Sequence, residues 1–287
     1  MSPPVAPPAV STLAPPWPVL QAPAHWRQLD FISDLHLQAG DTATFLAWRH
    51  FMQTTAANAV FILGDLFDVW IGDDVMDAAC DFEARCVQVL AAASGRLNIF
   101  LMHGNRDFLL GPAFARAASV TLIDDPTVLD IAGQRWLLSH GDALCLLDTD
   151  YLEFRAKVRS AQWQQDFLRQ PLAQRREVAR ALRQQSEARK HSALIYTDLD
   201  PQASGDWLRA AQADTLIHGH THKPAQHELA GGLRRVVLSD WDLGATPPRA
   251  EVLRLQVPEP HQGKVATVER LAVVLADRCQ PDGPVRV

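Results

Sequence analysis

Short apolar runs alternate along the chain with polar stretches of helical period. The runs "QLDFIS" (28–33), "AVFIL" (59–63), "LNIFLMH" (97–103), "RWLLSH" (135–140) and "DTLIHG" (214–219) are too short for buried helices. They suit strands covered on both faces. Segments 43–53 and 79–93, between the first three runs, carry apolar residues at helical spacing. Strand–helix–strand alternation predicts an α/β fold with parallel pairing. Further on, "RRVVLS" (234–239) and "AEVLRLQV" (250–257) follow without an intervening helix, so the C-terminal part is expected to be antiparallel. Another β-like run, "KVATVERLAVVL", lies beyond Pro258.

Residues 150–200 differ in kind. Tyr151, Phe154, Val158 and Ala161 keep helical spacing, and Pro171 separates them from a second helical segment, 173–190. This stretch reads as a helical insertion between two strands of the core. The first 26 residues hold eight prolines before position 25 and no Lys or Arg, which predicts a disordered, Pro-rich tail rather than a signal peptide. The folded domain is expected over 27–257, with 258–287 as an extension of no assigned role.

Composition changes this picture little. A chain of 287 residues with 47% hydrophobic and 21% charged residues is ordinary for a globular protein. A net charge of −6 argues against general nucleic-acid binding. Residues 151–191 nevertheless carry ten Lys and Arg against four Asp and Glu, a basic island that points to an anionic partner there. Cys80, Cys86, Cys145 and Cys279 show no CxxC pair and read as reduced thiols. No apolar stretch approaches the ~18–20 residues that cross a bilayer.

The chemistry sits where the strands end. The first run leads into Asp34 and His36, the second into Asp65, the third into Asn105 and Arg106, the fourth into His140, the fifth into His220 and His222. Each piece alone has a bland reading: a Gly-Asp is usually a turn, and an isolated His-x-His is a surface pair. In α/β sheets, however, the carboxyl edge is where ligand sites assemble. Five loops delivering only oxygen and imidazole donors to that edge predict a metal site. Seven donors exceed the needs of one ion with open positions, so two ions sharing a carboxylate are expected. Ligation without thiolate fits Mn²⁺ or Fe²⁺, with Co²⁺ and Zn²⁺ as alternatives, and disfavours structural zinc. Ions about 3.5–4 Å apart can clamp both oxygens of an in-line phosphoryl displacement.

The ordered set DxH, GD, GN(R)D, H and GHxH resembles the calcineurin-like metallophosphoesterase superfamily over roughly residues 28–257. The resemblance implies a β-sandwich flanked by helices, with a helical lid insertion. It also implies that Asp34, His36, Asp65 and His222 hold one ion and that Asp65, Asn105, His140 and His220 hold the other. His218 matches no ligand position. "GDLFDVWIGDD", "HGNRDFLLG", "HGDALCLLD" and "IHGHTHKPAQHEL" are similar to the family of UDP-2,3-diacylglucosamine diphosphatases of lipid A biosynthesis. That likeness implies water attack on the α-phosphorus, giving UMP and 2,3-diacylglucosamine 1-phosphate, with two Mn²⁺ per chain. Asp65, Asn105, Arg106 and His140 would be catalytic. Asn105, Arg106, Asp148, Ser186, Lys190 and His220 would contact the lipid-linked substrate at the cytoplasmic side of the bacterial inner membrane, where the protein would be peripheral. Arg106 fits a diphosphate, because guanidinium binds it bidentately and stays charged at neutral pH. The basic lid residues Arg175, Arg176, Arg180 and Arg183 would face the anionic leaflet. Asp73, Asp74, Asp107 and Asp142 would orient neighbours, and Trp70 and Trp241 would pack. The rival readings are another dinuclear phosphodiesterase or nucleotide hydrolase of the superfamily, and a non-catalytic scaffold.

Overall fold

The computed structural model describes residues 17–77, 81–192, 198–259 and 266–273, with 184–192 described by backbone alone. Two six-stranded sheets face each other. In one, β2 (Gln28–Ile32), β3 (Ala59–Leu63), β4 (Asn98–Met102) and β5 (Thr121–Ile123) run parallel, while β11 (Glu251–Gln256) and β12 (Thr267–Ala272) add antiparallel to the β2 side. In the other the order is β1 (Val19–Gln21), β6 (Thr127–Ile131), β7 (Gln134–Ser139), β8 (Thr215–His218), β10 (Arg234–Val237) and β9 (Ala225–Glu228).

The period of two along each strand splits the apolar runs between two cores. Leu29, Phe31, Ala59, Phe61 and Leu63 point inward and meet Leu129, Trp136, Leu138 and Ile217 of the opposite sheet. Val60 and Ile62 point outward beneath helices α1 (Thr42–Thr54), α2 (Phe82–Ser94) and α3 (Pro112–Ala118). Leu137 and Leu216 point outward on the other sheet, beneath α7 (Pro201–Ala211). Register pairs Phe31 with Phe61 and Phe61 with Phe100. The three rings stack across neighbouring strands with centroids 5.0 and 4.8 Å apart, a ladder through the middle of the sandwich.

One outward position is polar. Asp30 is fully buried on β2 and accepts from Arg254 Nε (2.7 Å), Arg254 Nη2 (2.8 Å) and the Thr55 hydroxyl (2.6 Å). Asp30→Ala would strand the guanidinium and the hydroxyl without an acceptor. We expect a loss of about 3–4 kcal/mol, measured by chemical denaturation. Asp30 is on the strand, away from the donors at its end, so catalysis at 25 °C is expected to persist; a stability loss under 1 kcal/mol would contradict this account.

Three expectations change. The segment assigned to a disordered tail enters the fold at its described end: β1 pairs in parallel with β6, and Trp26 is buried against the inner core. Its prolines flank β1, at positions 18 and 23, and leave the paired residues free to hydrogen bond. The C-terminal region is mixed, since β10 lies parallel to β8 and antiparallel to β9; the β-like run beyond Pro258 does form a strand, β12, which carries the domain past the expected boundary at 257. The insertion forms three helices, α4 (Thr149–Val158), α5 (Ala161–Leu168) and α6 (Leu172–Ser192). The first break comes at Ser160, whose hydroxyl accepts from Trp163 N as an N-cap.

The arginines of α6 are also not where their charge suggested. Arg175 is buried, donates to the Ile71 carbonyl (2.5 Å) and the Gln170 carbonyl (3.0 Å), and pairs with both oxygens of Asp74. Arg183 pairs with Asp68, and Arg176 lies 3.9 Å from Asp81. Arg175 and Arg183 fasten the insertion to the core; Arg176 and Arg180 are exposed.

Candidate metal centre

The strand-end donors converge from both layers. Asp34, His36, Asp65 and Asn105 follow β2, β3 and β4, while His140, His220 and His222 follow β7 and β8. Main-chain bonds tie these loops together: Asp34 N donates to Gly64 O (3.1 Å), His36 N to Asp65 O (3.0 Å) and Gly219 N to His140 O (3.0 Å). Asp34, His36, Asp65, His220 and His222 all have left-handed backbones, with φ between 47° and 66°. They are five of the eight such non-glycine residues among those described. Each such residue costs of order 1 kcal/mol, and strain of this kind gathers where side chains must be aimed. Gly64, at φ +91°, shows how tight the floor is, since a Cβ there would stand 2.5 Å from His140 Nδ1.

Two groups of ligand atoms lie within 4.8 Å of one another: Asp34, His36 and His222, and Asp34, Asp65 and His140. His222 Nε2 is 3.2 Å from Asp34 Oδ1 and 3.3 Å from His36 Nε2. Asp65 Oδ2 stands 3.9 Å from His36 Nδ1, 3.9 Å from His140 Nε2 and 3.8 Å from Arg106 Nε. Asp34 belongs to both groups, and Asp65 Oδ2 faces a histidine of each. Asn105 Oδ1 is 2.9 Å from both His140 Nε2 and His220 Nδ1. His140 Nδ1 faces the Leu63 carbonyl at 2.9 Å and donates there, which aims Nε2 at the Asn105 amide oxygen.

Electrostatics points the same way. Burial raises the Asp65 carboxyl to about 7, with Asp107 and Asp34 adding to it. Burial opposes charge on His140, yet Asp65, Asp34 and Asp142 outweigh it and lift the ring to about 9. Asp34 stays well below the usual carboxylate range, because His222 overcomes the burial penalty. His220 falls to about 4, chiefly by burial and then by the charge of His140. The donor set and this excess of buried negative charge fit divalent cations.

Neighbours aim the donors. Asp107, fully buried, accepts from the main-chain N–H of Gly104 (2.8 Å), Leu66 (2.8 Å), Asp65 (3.3 Å) and Phe67 (3.4 Å). Asp73 accepts from Gly111, Ala113 and Phe114 N at the start of α3, and from Trp70 Nε1. Trp70 and Trp241 are buried in packing contacts. His218 donates through Nδ1 to Gly219 O, while its buried Nε2 has no partner among the described residues.

Arg106 lies beside the centre: its N donates to Asp65 Oδ1 (2.8 Å) and its Nη1 to Asp68 Oδ1 (2.9 Å). Asp148 is exposed and caps α4 by accepting from Tyr151 N (3.2 Å). The side chains of Ser186 and Lys190 lie outside the described residues.

Several residues at the site escaped the sequence reading. Asp68 joins Arg106 to Arg183 of α6. Asp240 places Oδ2 3.7 Å from His222 Nδ1. Tyr151, Arg155 and Arg159 reach the centre from α4; their spacing of four was the available signal, masked by the apolar residues between them.

Known proteins place this geometry in context. The calcineurin-like phosphoesterase family matches residues 28–224. A UDP-2,3-diacylglucosamine hydrolase of Cellvibrio japonicus is 47% identical over 217 residues, covering 74% of this chain and 90% of that protein. One from Ralstonia nicotianae is 43% identical over 239 residues, covering 79% of this chain and 88% of that protein. A third, from Pseudomonas aeruginosa, is 44% identical over 219 residues, with 74% and 90% covered. With its strand-end donors and this span of similarity, the chain belongs to the calcineurin-like phosphoesterase family.

Proposed function

We propose that the chain hydrolyses the diphosphate bond of UDP-2,3-diacylglucosamine, releasing UMP and 2,3-diacylglucosamine 1-phosphate in lipid A biosynthesis. The observation that carries this reading is Asp65 Oδ2, which faces His36, His140 and Arg106 together at the meeting of the two sheets. The relatives named above act on this lipid, and their similarity spans most of each chain.

Asp34, His36, Asp65 and His222 would hold one divalent ion, and Asp65, Asn105, His140 and His220 a second, Mn²⁺ in both places. Such a pair supplies activation of water and neutralisation of charge on the phosphoryl oxygens. Arg106 remains charged throughout, so it binds the diphosphate and offsets growing negative charge rather than donating a proton. Asp68 holds its guanidinium beside Asp65. Water attacks the α-phosphorus, and the sugar 1-phosphate departs as a phosphomonoester that needs little protonation. Asp148, Ser186 and Lys190 are proposed to bind the glucosamine head group.

We place the chain at the cytoplasmic face of the bacterial inner membrane, where this substrate resides. Among the described residues no helix is long and apolar enough to cross a membrane. With Arg175 and Arg183 turned to carboxylates, the exposed Leu146 and Leu147 beside α4 are the better candidates to meet lipid.

The test is UMP release from the lipid in detergent micelles. Activity is expected with Mn²⁺, to vanish on chelation and to return on adding the ion back. Faster turnover of bis-p-nitrophenyl phosphate or a soluble nucleotide diester, without response to detergent, would favour the soluble-substrate rival.

A further inference from the structure

Helix α4 is joined to the donor loops by a polar cluster around the buried Asp142, whose tyrosine and arginines have no part in the roles above. Tyr151, Arg155 and Arg159 stand four apart, on one face of the helix or at its C-terminal cap. The Tyr151 hydroxyl donates to Asp142 Oδ2 (2.5 Å), and its ring lies 6.1 Å from that of His220 at 28°. Arg155 Nε donates to the same oxygen (2.8 Å), and its Nη2 lies 3.6 Å from Asp125 Oδ2. Asp125 in turn accepts from the Ser139 hydroxyl (2.7 Å) and His140 N (3.3 Å). Arg159 Nη2 donates to the Gly104 carbonyl (2.9 Å) and lies 3.7 Å from Asp142 Oδ2.

Burying two carboxylates this way is a poor route to stability. Asp142 Oδ1 and Asp125 Oδ2 are buried without a hydrogen-bond partner among the described residues, and a hydrophobic filling would cost less. The contacts they organise are specific, however. Through Arg159 the helix grips the peptide that precedes Asn105, at the end of one sheet. Through Arg155 and Asp125 it grips the main chain of His140, at the end of the other. Asn105 Oδ1 and His140 Nε2 are the donors whose 2.9 Å approach spans the two layers. Tyr151 flanks the third member, His220.

We propose that Arg155 and Arg159 are positioning residues, which hold Asn105 and His140 in register across the two sheets and so set the affinity of the ion shared by Asn105, His140 and His220. The inference rests on reading these donors as ion ligands. It gives the insertion a second role, as a brace on the centre beneath it. Groups that orient metal ligands without touching the ion change its affinity about 10- to 100-fold when removed.

The experiment is calorimetric titration of Mn²⁺ into metal-free full-length protein, beside kcat and KM for the lipid. The wild type is expected to bind two ions. Arg159→Met and Arg155→Met should weaken one binding step about 10- to 100-fold and leave the other in place, with kcat falling and KM for the lipid little changed. Arg159→Lys, which keeps a donor for the Gly104 carbonyl, should recover part of the loss. Tyr151→Phe deletes one hydroxyl and serves where an arginine variant fails to fold; it should weaken the same step, by less. Unchanged titrations in these variants, or equal weakening of both steps together with a lowered Tm, overturn the inference alone. A wild type that takes up no Mn²⁺ overturns the ligand reading and the inference with it.

Discussion

Asp65→Ala is expected to lower kcat/KM for UMP release by about a thousandfold or more, the largest loss from any single site residue. Removing one well-placed charge-stabilising group from an active site already costs 10²–10³, and Asp65 would serve two ions. The geometry explains why it cannot be spared. Oδ1 is fixed by Arg106 N at 2.8 Å, so Oδ2 has one direction left, towards His36, His140 and Arg106. Asp65→Asn separates shape from charge, since it keeps the amide oxygen for Arg106 N and loses the anion. It should be almost as inactive. The effect on folding has the opposite sense. A carboxyl pushed up to about 7 by burial opposes folding at any pH above its ordinary value, because the folded state disfavours its charged form. In chelator near neutral pH, the Asp65 variants should therefore melt no lower than the wild type. A clear drop in Tm would mark Asp65 as structural and remove the main support for its proposed role.

Asp107→Ala is expected to be the most damaging change at a residue that is not itself a proposed ligand. Its carboxylate serves four main-chain N–H groups in the β3 and β4 loops, and all four lie in dry surroundings. Alanine leaves them unsatisfied at about 1–3 kcal/mol each, with partial relaxation, so about 4 kcal/mol is a reasonable net loss. For a chain of this size that corresponds to a Tm lower by about 10 °C. Activity should fall further than stability explains, because the same four bonds aim Asp65 and Asn105. The measurements are a thermal melt and an activity assay well below the variant's Tm. Full activity under those conditions would show that the loops keep their shape without the carboxylate.

The elements legible in the sequence were those with a physical reason to be so. The central strands β2, β3, β4, β7 and β8 are covered on both faces, and a short run of apolar residues admits no other layout. Because each ended in a polar loop, the donors were legible with them. The edge strands were harder. β1, β5 and β9 have three or four residues with alternating or partial exposure, which reads as loop. Helix α3 has seven residues and leans on Asp73, whose carboxylate accepts from its first turn 40 and 41 positions away. Helix α7 carried a readable start, Asp200 capping and Pro201 in the first turn, that the apolar pattern alone passed over. The basic insertion misled for a different reason. Composition counts charges but not their partners, and Arg175 and Arg183 find theirs at Asp74 and Asp68, about a hundred positions earlier.

The phenylalanine ladder through the sandwich bears on how such a centre could be altered. Four of the seven donors hang from the layer that carries Phe31, Phe61 and Phe100, and three hang from the layer opposite. Neither layer can be transplanted as a working half. Designers wishing to retune the spacing between the two sets of donors have a handle in the apolar interior: a bulkier or slimmer residue in the ladder would tilt one layer against the other and carry the donors with it.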